Sequence, residues 1–297
     1  MKVLITGATG FIGQSVLARI NPADEVTIIS RKPFYGLPNN VSVIESDLNP
    51  SQDLFERLKE VQPDLCLHLA WEGLPDYGFD ISLRNVNQAS RFWQHLVEEC
   101  GCSKIIATGS CWEYGKSFGA CQEEDKTLIN SNFSWAKHSL ADFGEMLSRK
   151  YNISFIWARI FYAYGPGQRA GSLIPLIAEA LRKNEQPMVK TPHNANDFIH
   201  VDDIANALVL MAQKRIPGGI YNLGSGQAVE VWKVCEYIEK AMGRDAVNSR
   251  RLRELEAQPT VNFWADGTKI NQAIGWKTLI DLEEGIRQFV STLEIKS

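Results

Sequence analysis

Three glycines near the amino terminus have the spacing of a phosphate-binding turn. Gly7, Gly10 and Gly13 follow the apolar run from Lys2 to Thr6 and open a segment with helical periodicity. Glycine permits a tight turn and close backbone approach at the first two positions, and close helix packing at the third. Amides at a helix start attract a pyrophosphate. The pattern predicts a dinucleotide site that also includes Thr9, Phe11 and Ile12.

The residues at the end of the second predicted strand indicate which dinucleotide binds. An NAD-selective site has an acidic residue there to accept hydrogen bonds from the adenosine ribose. This chain has Ser30, Arg31 and Lys32 instead. The Arg31 guanidinium can pair with a 2′-phosphate, and Ser30 can donate to it. NADP(H) is therefore the predicted cofactor, with NAD(H) as the alternative, and Asp47 and Leu48 are expected to meet its adenine.

The elements that must position these residues alternate along the chain. Apolar, β-rich runs predict strands at 2–6, 25–30, 41–46, 64–69, 104–108 and 153–159. Apolar residues at spacings of three and four predict helices at 10–20, 52–61, 81–100 and 132–151. Strands that are apolar throughout are typical of a parallel sheet buried between two helical layers. The sequence predicts an α/β fold with a doubly wound, parallel-sheet Rossmann domain.

The pattern loosens after residue 159. Helices are predicted at 172–183, 201–213, 229–242 and 282–293. The segments of this part of the chain are too short and too mixed to form an independent parallel sheet. We therefore expect a smaller, mixed C-terminal substrate lobe formed by 164–196, 216–263 and 279–297. The Rossmann domain is expected to span 1–163 and to be completed by 197–215 and 264–278.

Composition excludes several classes of function. With 297 residues, a net charge of −4 and a pI of about 5.8, the chain lacks the basic excess typical of nucleic-acid binders. The sequence contains no run of about 18 apolar residues, so no membrane span is predicted. Because no leader precedes the first predicted strand, we expect a cytoplasmic protein. Six scattered cysteines without paired C-x-x-C spacing predict reduced thiols and no metal site.

Several motifs together resemble one family. TGATGFIG is followed by HLAW at His68 to Trp71, TGSCWEYG at Thr108 to Gly115, YGPGQR, DFIHVDDIA and YNLGSG. In this order and over nearly the full length, they resemble the extended short-chain dehydrogenase/reductases of the NAD-dependent epimerase/dehydratase type, which act on nucleotide-linked sugars. The resemblance implies that Leu69, Ala70 and Trp71 contact the cofactor.

The resemblance also implies a catalytic set of a Ser or Thr, a Tyr, and a Lys four residues after the Tyr. Ser110 takes the position of the hydroxyl that polarises the reacting oxygen. Lys137 takes the position of the lysine that holds the nicotinamide ribose and lowers the pKa of the phenol. The tyrosine position holds Phe133, which has no proton to exchange.

Three hypotheses account for Phe133. In the first, another group transfers the proton, the candidates being Tyr162, Tyr164, Glu113, His138 or an ordered water. In the second, the chain carries an engineered Tyr-to-Phe substitution of an active enzyme. In the third, the protein is a redox-silent NADP(H)-binding sensor or scaffold.

The resemblance implies a nucleotide-activated sugar as substrate and either epimerisation or 4-keto reduction. Dehydration is disfavoured, because the Asp-Glu pair of the sugar dehydratases is replaced by Cys111 and Trp112. These two residues, Ser110 and Tyr162 are expected to contact the sugar nucleotide, and Arg169 and Arg253 its phosphates. The resemblance further implies a homodimer.

Overall fold

The computed structural model describes residues 1–34, 36–115, 118–257 and 261–294. The chain divides into two compact units. The first consists of Met1–Gly115, Lys126–Ile160 and Ala205–Tyr221, and the second of Lys116–Asp125, Phe161–Ile204 and Asn222–Ser297. The division after Ile160 lies close to the expected boundary at 163. Segments 116–125, 197–204 and 264–278, which were expected in the Rossmann domain, fall in the second unit, whereas 216–221 falls in the first.

A seven-stranded sheet forms the centre of the first unit. Its strands are β1 Lys2–Thr6, β2 Glu25–Ser30, β3 Val41–Glu45, β4 Leu65–His68, β5 Lys104–Ser110, β7 Ser154–Ile160 and β10 Gly219–Leu223, in the order β10-β7-β5-β4-β1-β2-β3. The pairs from β3 through β7 are parallel. The order reverses between β1 and β4, as in dinucleotide-binding folds. The predicted doubly wound α/β class is confirmed.

Helices flank this sheet and bury its apolar residues. They are α1 Phe11–Leu17, α2 Gln52–Val61, α3 Phe79–Glu98, α4 Asn132–Tyr151 and α6 Val201–Gln213. Trp93 on α3 is fully buried and contacts Phe155 and Trp157 of β7, with ring centroids 5.6 and 6.4 Å apart. Burying each aromatic side chain of this kind contributes about 1.5–3 kcal/mol. The predicted strands and helices of this half lie within a few residues of the observed ones.

Helix α4 carries Phe133 and Lys137 in its first two turns, and a cap residue and a glycine determine its start and its packing. Ser131 caps the helix, because its hydroxyl accepts a hydrogen bond from the Ser134 amide at 3.1 Å. Gly144 lets the helix approach β7 closely, since a Cβ there would lie 2.0 Å from Cζ of Phe155. The helix face with Phe133 and Lys137 is thereby fixed against the sheet.

The second unit contains a smaller mixed sheet. Strands β6 Phe118–Cys121, β8 Tyr162–Tyr164, β9 Ala195–His200, β11 Ala228–Glu230 and β12 Asn262–Ala265 form it in the order β11-β9-β12-β6, with β8 paired to β9. The pair β11–β9 is antiparallel and the others are parallel. Its helices are α5 Leu173–Arg182, α7 Val231–Ala241, α8 Val247–Arg253, α9 Thr268–Ile274 and α10 Leu282–Glu294. A mixed lobe was expected, but α8 and α9 were not.

All six cysteines are buried thiols. Over the ranges that the structure describes, no helix is both long and apolar enough to cross a bilayer.

Candidate active site

The glycine turn between β1 and α1 has the geometry that a phosphate site needs. Gly7 has a φ of +72°, in the left-handed region that favours glycine, and its carbonyl accepts a hydrogen bond from the Gly10 amide at 2.9 Å. A Cβ on Gly13 would lie 2.0 Å from the Gly7 carbonyl oxygen. The first turn of α1 can therefore pack directly against the glycine turn, and amides at such a helix start are able to bind an anion.

We expect Gly13→Ala to disrupt this turn. Its methyl group collides with backbone atoms of Gly7 and Ala8, which cannot rotate away as a side chain could. Overpacking of this kind costs about 1–3 kcal/mol. Urea denaturation of the cofactor-free protein measures that loss of stability. Calorimetry should show that the variant binds nicotinamide dinucleotides at least tenfold more weakly. Gly171→Ala, where a Cβ meets open space, is the control; equal behaviour of the two variants contradicts the assignment.

A cavity of about 530 Å³ opens beside the turn. It lies at the carboxyl ends of β1 to β4, where open parallel sheets bind their ligands. Its lining includes every residue predicted to contact the cofactor except Lys137, namely Gly7, Thr9, Gly10, Phe11, Ile12, Gly13, Ser30, Arg31, Asp47, Leu48, Leu69, Ala70 and Trp71. The glycine cradle and the cavity fit a dinucleotide, and the individual contacts stay predictions.

Sequence reasoning missed the rest of the lining. These residues are Ile29, Ser46, His68, Glu72, Leu74, Asn85, Gln88 and Ala89. Three of them adjoin predicted residues at strand ends. Asn85, Gln88 and Ala89 share one face of α3. The i, i+3 spacing of Asn85 and Gln88 was visible in the sequence, whereas their burial required the structure.

Polar contacts shape the end of the cavity formed by β2 and β3. The Ser30 hydroxyl donates to the Lys32 carbonyl at 2.8 Å and so turns the backbone that carries the exposed Arg31. The Asp47 carboxylate accepts a hydrogen bond from the Asn49 amide group at 2.6 Å. Gln88 in turn donates to the Asn49 side-chain oxygen, also at 2.6 Å. This chain of hydrogen bonds fixes the position of Asp47.

His68 is a buried, neutral part of the cavity wall. Its Nδ1 lies 3.1 Å from the Thr6 hydroxyl, which also accepts a hydrogen bond from the Ala70 amide at 3.3 Å. Burial lowers the pKa of His68 to about 3, and the nearby charge of Lys137 acts in the same direction. His68 therefore ties the ends of β1 and β4 together and carries no charge near neutral pH.

Lys137 is buried at the edge of the cavity. Its Nζ donates to the Thr108 carbonyl at 2.8 Å and lies 3.9 Å from the ring centroid of the cavity-lining Trp71. Burial lowers the pKa of Lys137 to about 7, and the carboxylate of Glu113 opposes that shift. A buried ammonium on an aromatic face can hold ribose hydroxyls, as predicted for this position.

Ser110 lies at the end of β5, where the chain enters the short 3-10 helix Cys111–Glu113. Its hydroxyl accepts a hydrogen bond from the Trp112 amide at 3.2 Å, and its own amide donates to Glu113 at 2.8 Å. The Glu113 carboxylate is fully buried and also accepts from Nε of Arg159 at 3.0 Å and from the Trp157 indole at 3.1 Å. This network fixes the backbone that presents Ser110.

Phe133 lies in an aromatic cluster with Trp71, Tyr77 and Trp112. Its ring meets Trp71 and Tyr77 edge-to-face, each with centroids 5.2 Å apart, and Trp112 at 5.7 Å. The Lys137 Nζ lies 5.8 Å from the Phe133 ring centroid. The structure thus brings Phe133 and Lys137 together on one helix face, as their spacing predicted, and adds the unpredicted Tyr77.

Three of the predicted proton donors have environments that disfavour the role. The Glu113 carboxylate is paired with the Arg159 guanidinium and already accepts several hydrogen bonds. His138 lies on a different face of α4 from Phe133, with its Nε2 3.6 Å from Asp142. Burial raises the pKa of Tyr164, whose hydroxyl donates to the Asp281 carbonyl at 3.2 Å.

The predicted substrate contacts divide between the units. Cys111 is buried and Trp112 is 38% exposed in the first unit, beside Ser110. Tyr162 on β8, Arg169 in the following loop and Arg253 on α8 belong to the second unit. Arg169 is exposed, and the Arg253 guanidinium lies 5.0 Å from the ring centroid of Trp232. Within the residues that the structure describes, no group of three or more His, Cys, Asp and Glu side chains could hold a metal ion.

A comparison with models of known protein families assigns the chain to one of them. The family model described as "NAD dependent epimerase/dehydratase family" matches residues 3–224. The chain therefore belongs to the NAD dependent epimerase/dehydratase family, as its motifs indicated.

Relatives match over nearly their whole lengths. A probable dTDP-glucose 4,6-dehydratase of Sinorhizobium fredii is 26% identical, covering 98% of this chain and 92% of the relative. The dTDP-4-dehydro-6-deoxyglucose reductase of Escherichia coli is 26% identical, with coverages of 99% and 98%. The CDP-abequose synthase of Salmonella typhimurium is 26% identical, with coverages of 98% and 98%.

Solved structures show the same fold. UDP-glucuronic acid 4-epimerase from Bacillus cereus, in complex with UDP-glucuronic acid and NAD, superposes with a TM-score of 0.84 at 21% identity over 100% of both chains. MoeE5, in complex with UDP-glucuronic acid and NAD, gives a TM-score of 0.85 at 25% identity, again over 100% of both chains.

Proposed function

We propose that this protein uses NADP(H) to epimerise, or to reduce at a 4-keto group, a nucleotide-activated sugar. The position of Lys137 supports this proposal most strongly. Its ammonium lies 3.9 Å from the ring centroid of Trp71, in the wall of the predicted cofactor cavity. A buried ammonium is costly, and at this point it is positioned to hold the nicotinamide ribose beside the reacting groups. Ser110 ends the strand whose Thr108 carbonyl holds this lysine.

The residues of the chain have separate tasks in this proposal. The nicotinamide, when bound, supplies or accepts the hydride. The glycine turn binds the pyrophosphate and Arg31 the 2′-phosphate. Lys137 holds the ribose hydroxyls, and the Ser110 hydroxyl donates to the sugar oxygen that becomes or ceases to be a carbonyl.

The relatives support a sugar nucleotide as the substrate, and the residues of the site indicate the type of reaction. Their names include dTDP-, CDP- and UDP-linked sugars. Several are dehydratases, but elimination of water needs an acid and a base beside the sugar. Here Cys111 is a buried thiol and Trp112 an indole, so neither supplies a carboxylate. Epimerisation or reduction therefore suits the site better than dehydration.

Assembly as a homodimer also belongs to the proposal. Helices α3 and α4 pack together and leave large apolar side chains exposed, among them Phe79 at 57%, Leu83 at 45% and Met146 at 52%. A second copy can cover such a face. Sedimentation should give twice the chain mass at micromolar concentration, and a monomeric mass contradicts the dimer.

Three measurements test the function. Calorimetry should show binding of NADP(H), and stopped-flow absorbance should show oxidation of NADPH when a 4-keto nucleotide sugar is added. An epimerase should instead interconvert its sugar nucleotides with the bound cofactor, as chromatography detects. If neither form of either nicotinamide dinucleotide binds, the proposal is wrong. Binding with no absorbance change and no interconversion favours the redox-silent sensor instead.

Arg31→Ala should separate the two cofactors. Charge-assisted hydrogen bonds to a phosphate contribute about 1.5–3 kcal/mol, so the dissociation constant of NADPH should rise roughly 10- to 150-fold. NADH lacks the 2′-phosphate, and its affinity should change by less than about threefold. Arg149→Ala, an exposed arginine at the far end of α4, is the control. Equal losses for the two cofactors contradict the role of Arg31.

A further inference from the structure

The loop between β4 and α3 brings a phenol to the Phe133 ring. Tyr77 lies in this loop with its ring centroid 5.2 Å from Phe133, at an interplanar angle of 77°, and 5.4 Å from Trp112. Its side chain is 38% exposed. Among the residues that the structure describes, Tyr77 is the tyrosine whose ring contacts Phe133, and its hydroxyl forms no hydrogen bond with them. The hydroxyl is therefore available to a ligand.

Hydrogen bonds hold the loop on both sides of Tyr77. The Asn85 side chain accepts from the Glu72 amide at 2.8 Å and donates to the Glu72 carbonyl at 3.1 Å. After Tyr77, the Gly78 amide donates to the Asp76 carboxylate at 2.7 Å. The loop is thus anchored to α3 through Asn85 and closed by a turn at Asp76 just before that helix begins. These bonds fix the backbone on both sides of Tyr77, and the ring contacts with Phe133 and Trp112 orient its side chain.

The other side chains near Phe133 cannot replace this phenol equally well. Glu113 is neutralised by Arg159 within the protein, and Trp71 and Trp112 have no proton to exchange at neutral pH. Lys137 donates one hydrogen bond to the Thr108 carbonyl, and the proposed function assigns its remaining donors to the ribose hydroxyls. Tyr77 also has contact with solvent, so its proton can be restored after each transfer.

We propose that Tyr77 is the catalytic acid and base of this enzyme, replacing the phenol that Phe133 lacks. The proposal rests on the proposed function. In reduction, the carbonyl carbon of the sugar would receive the hydride of a bound dihydronicotinamide, which becomes the oxidised nicotinamide. The Tyr77 O–H bond breaks and its proton forms a new O–H bond on the sugar oxygen. Water then returns a proton to the phenolate. In the reverse direction the phenolate takes the proton of the sugar hydroxyl.

Tyr77→Phe should lower kcat at least 100-fold, because a positioned general acid contributes about 10²- to 10⁴-fold. The matched control is Tyr151→Phe, which removes the same oxygen at the far end of α4, about 27 Å along the helix from Phe133. The control should keep its full rate. Both variants should bind NADPH within about threefold of the parent, and circular dichroism should show both folded.

Moving the phenol back gives a second test. In the Tyr77→Phe/Phe133→Tyr double variant, the hydroxyl returns to the helix face of Lys137. Its rate should recover at least tenfold over Tyr77→Phe alone. A role of Tyr77 in folding alone cannot produce this recovery, since the new hydroxyl lies on another element.

A third readout needs no turnover. Tetranitromethane nitrates accessible tyrosines, and peptide mass spectrometry locates the product. Tyr77 should be nitrated in the cofactor-free protein and protected at least fivefold by a saturating UDP-, dTDP- or CDP-sugar that calorimetry shows to bind. Nitration of Tyr151 should not change on addition of the same ligand.

The outcomes separate the two proposals. If the parent protein turns over but Tyr77→Phe keeps more than a third of its rate, or Tyr162→Phe alone abolishes the rate, the role of Tyr77 is wrong and the function stands. Equal nitration of Tyr77 with and without a bound sugar nucleotide also overturns it. If the parent binds no nicotinamide dinucleotide, or binds one without any turnover, the proposed function fails and Tyr77 has no proton to transfer.

Discussion

Glu113→Gln is expected to destabilise the protein by about 3–5 kcal/mol, the usual consequence of removing one partner of a buried ion pair. Glu113 and Arg159 are 0% and 1% exposed, and their atoms Oε2 and Nε lie 3.0 Å apart. Glutamine keeps the shape of the side chain but removes the negative charge that faces the buried Arg159 guanidinium in the first unit. Arginine cannot lose its proton to escape that state.

Urea denaturation followed by tryptophan fluorescence measures this loss. Glu145→Gln is the matched control, because Glu145 pairs with Arg149 at 2.8 Å on the exposed surface of α4. That pair should contribute less than about 0.5 kcal/mol. A loss below about 1 kcal/mol in Glu113→Gln contradicts the importance of the buried pair.

Replacing both charges tests the physical cause. In Glu113→Leu/Arg159→Met no charge is left unpaired, so stability should recover by several kcal/mol relative to Glu113→Gln. The Ser110 amide and the Trp157 indole then lose their acceptor, and full recovery is not expected. If the double variant is less stable than the single one, the hydrogen bonds of Glu113 matter more than its charge.

A sequence pattern pointed to this pair without revealing it. Arg159 stands in the run FIWARI, which is otherwise apolar and was predicted to be a buried strand. A charged residue in such a strand must have a partner, because an unpaired buried charge is prohibitively unfavourable. The partner is 46 positions earlier in the chain, and the choice of Glu113 depends on the pairing of β5 with β7. Pairing between distant strands is not visible in local periodicity.

The same distinction explains which parts of the fold were predictable. Strands such as β1 and β4 are continuous apolar runs, because both faces of a central parallel sheet are covered by helices. The strands of the second unit are short, and β8 and β11 have only three residues each. Helix α8 lies in a basic segment in which only Ser249 and Leu252 are buried. So few apolar positions define no period.

The candidate site divides in a similar way. The glycine turn was predicted from spacing within one element, and the role of Lys137 was predicted from the resemblance of its segment to a family motif. Tyr77 could not be predicted in either way, because the loop before α3 has no periodicity and its contact with Phe133 bridges two distant parts of the chain. The absence of a phenol at position 133 was visible in the sequence, whereas the phenol that approaches that position required the structure.

Lys137→Met is expected to lower kcat/KM by about 10²- to 10⁴-fold, the range that a single positioned catalytic group contributes. Methionine fills similar space and packs against Trp71, but it cannot hold ribose hydroxyls or stabilise a nearby oxyanion. Stopped-flow absorbance with NADPH and the sugar nucleotide measures the loss. A rate within threefold of the parent contradicts the placement of Lys137 in the site.

The same variant should make the cofactor-free protein more stable. Burial lowers the pKa of Lys137 from 10.5 in the unfolded chain to about 7 in the folded one. Below pH 7 both states carry the proton, and the folded state bears the full cost of the buried charge, at most about 5 kcal/mol. Between pH 7 and 10.5 only the unfolded chain holds the proton, so the stability of the parent rises with pH.

The stability difference between Lys137→Met and the parent should therefore be largest near pH 6 and disappear towards pH 10.5. Urea denaturation across this range measures it, and other titrating groups cancel in the difference. Lys126→Met, at an exposed position, should change stability by less than about 0.5 kcal/mol throughout. A pH-independent difference for Lys137→Met would show that the buried ammonium is compensated in the folded protein. A gain in stability with a loss of rate is instead the expected sign of a charge retained for catalysis.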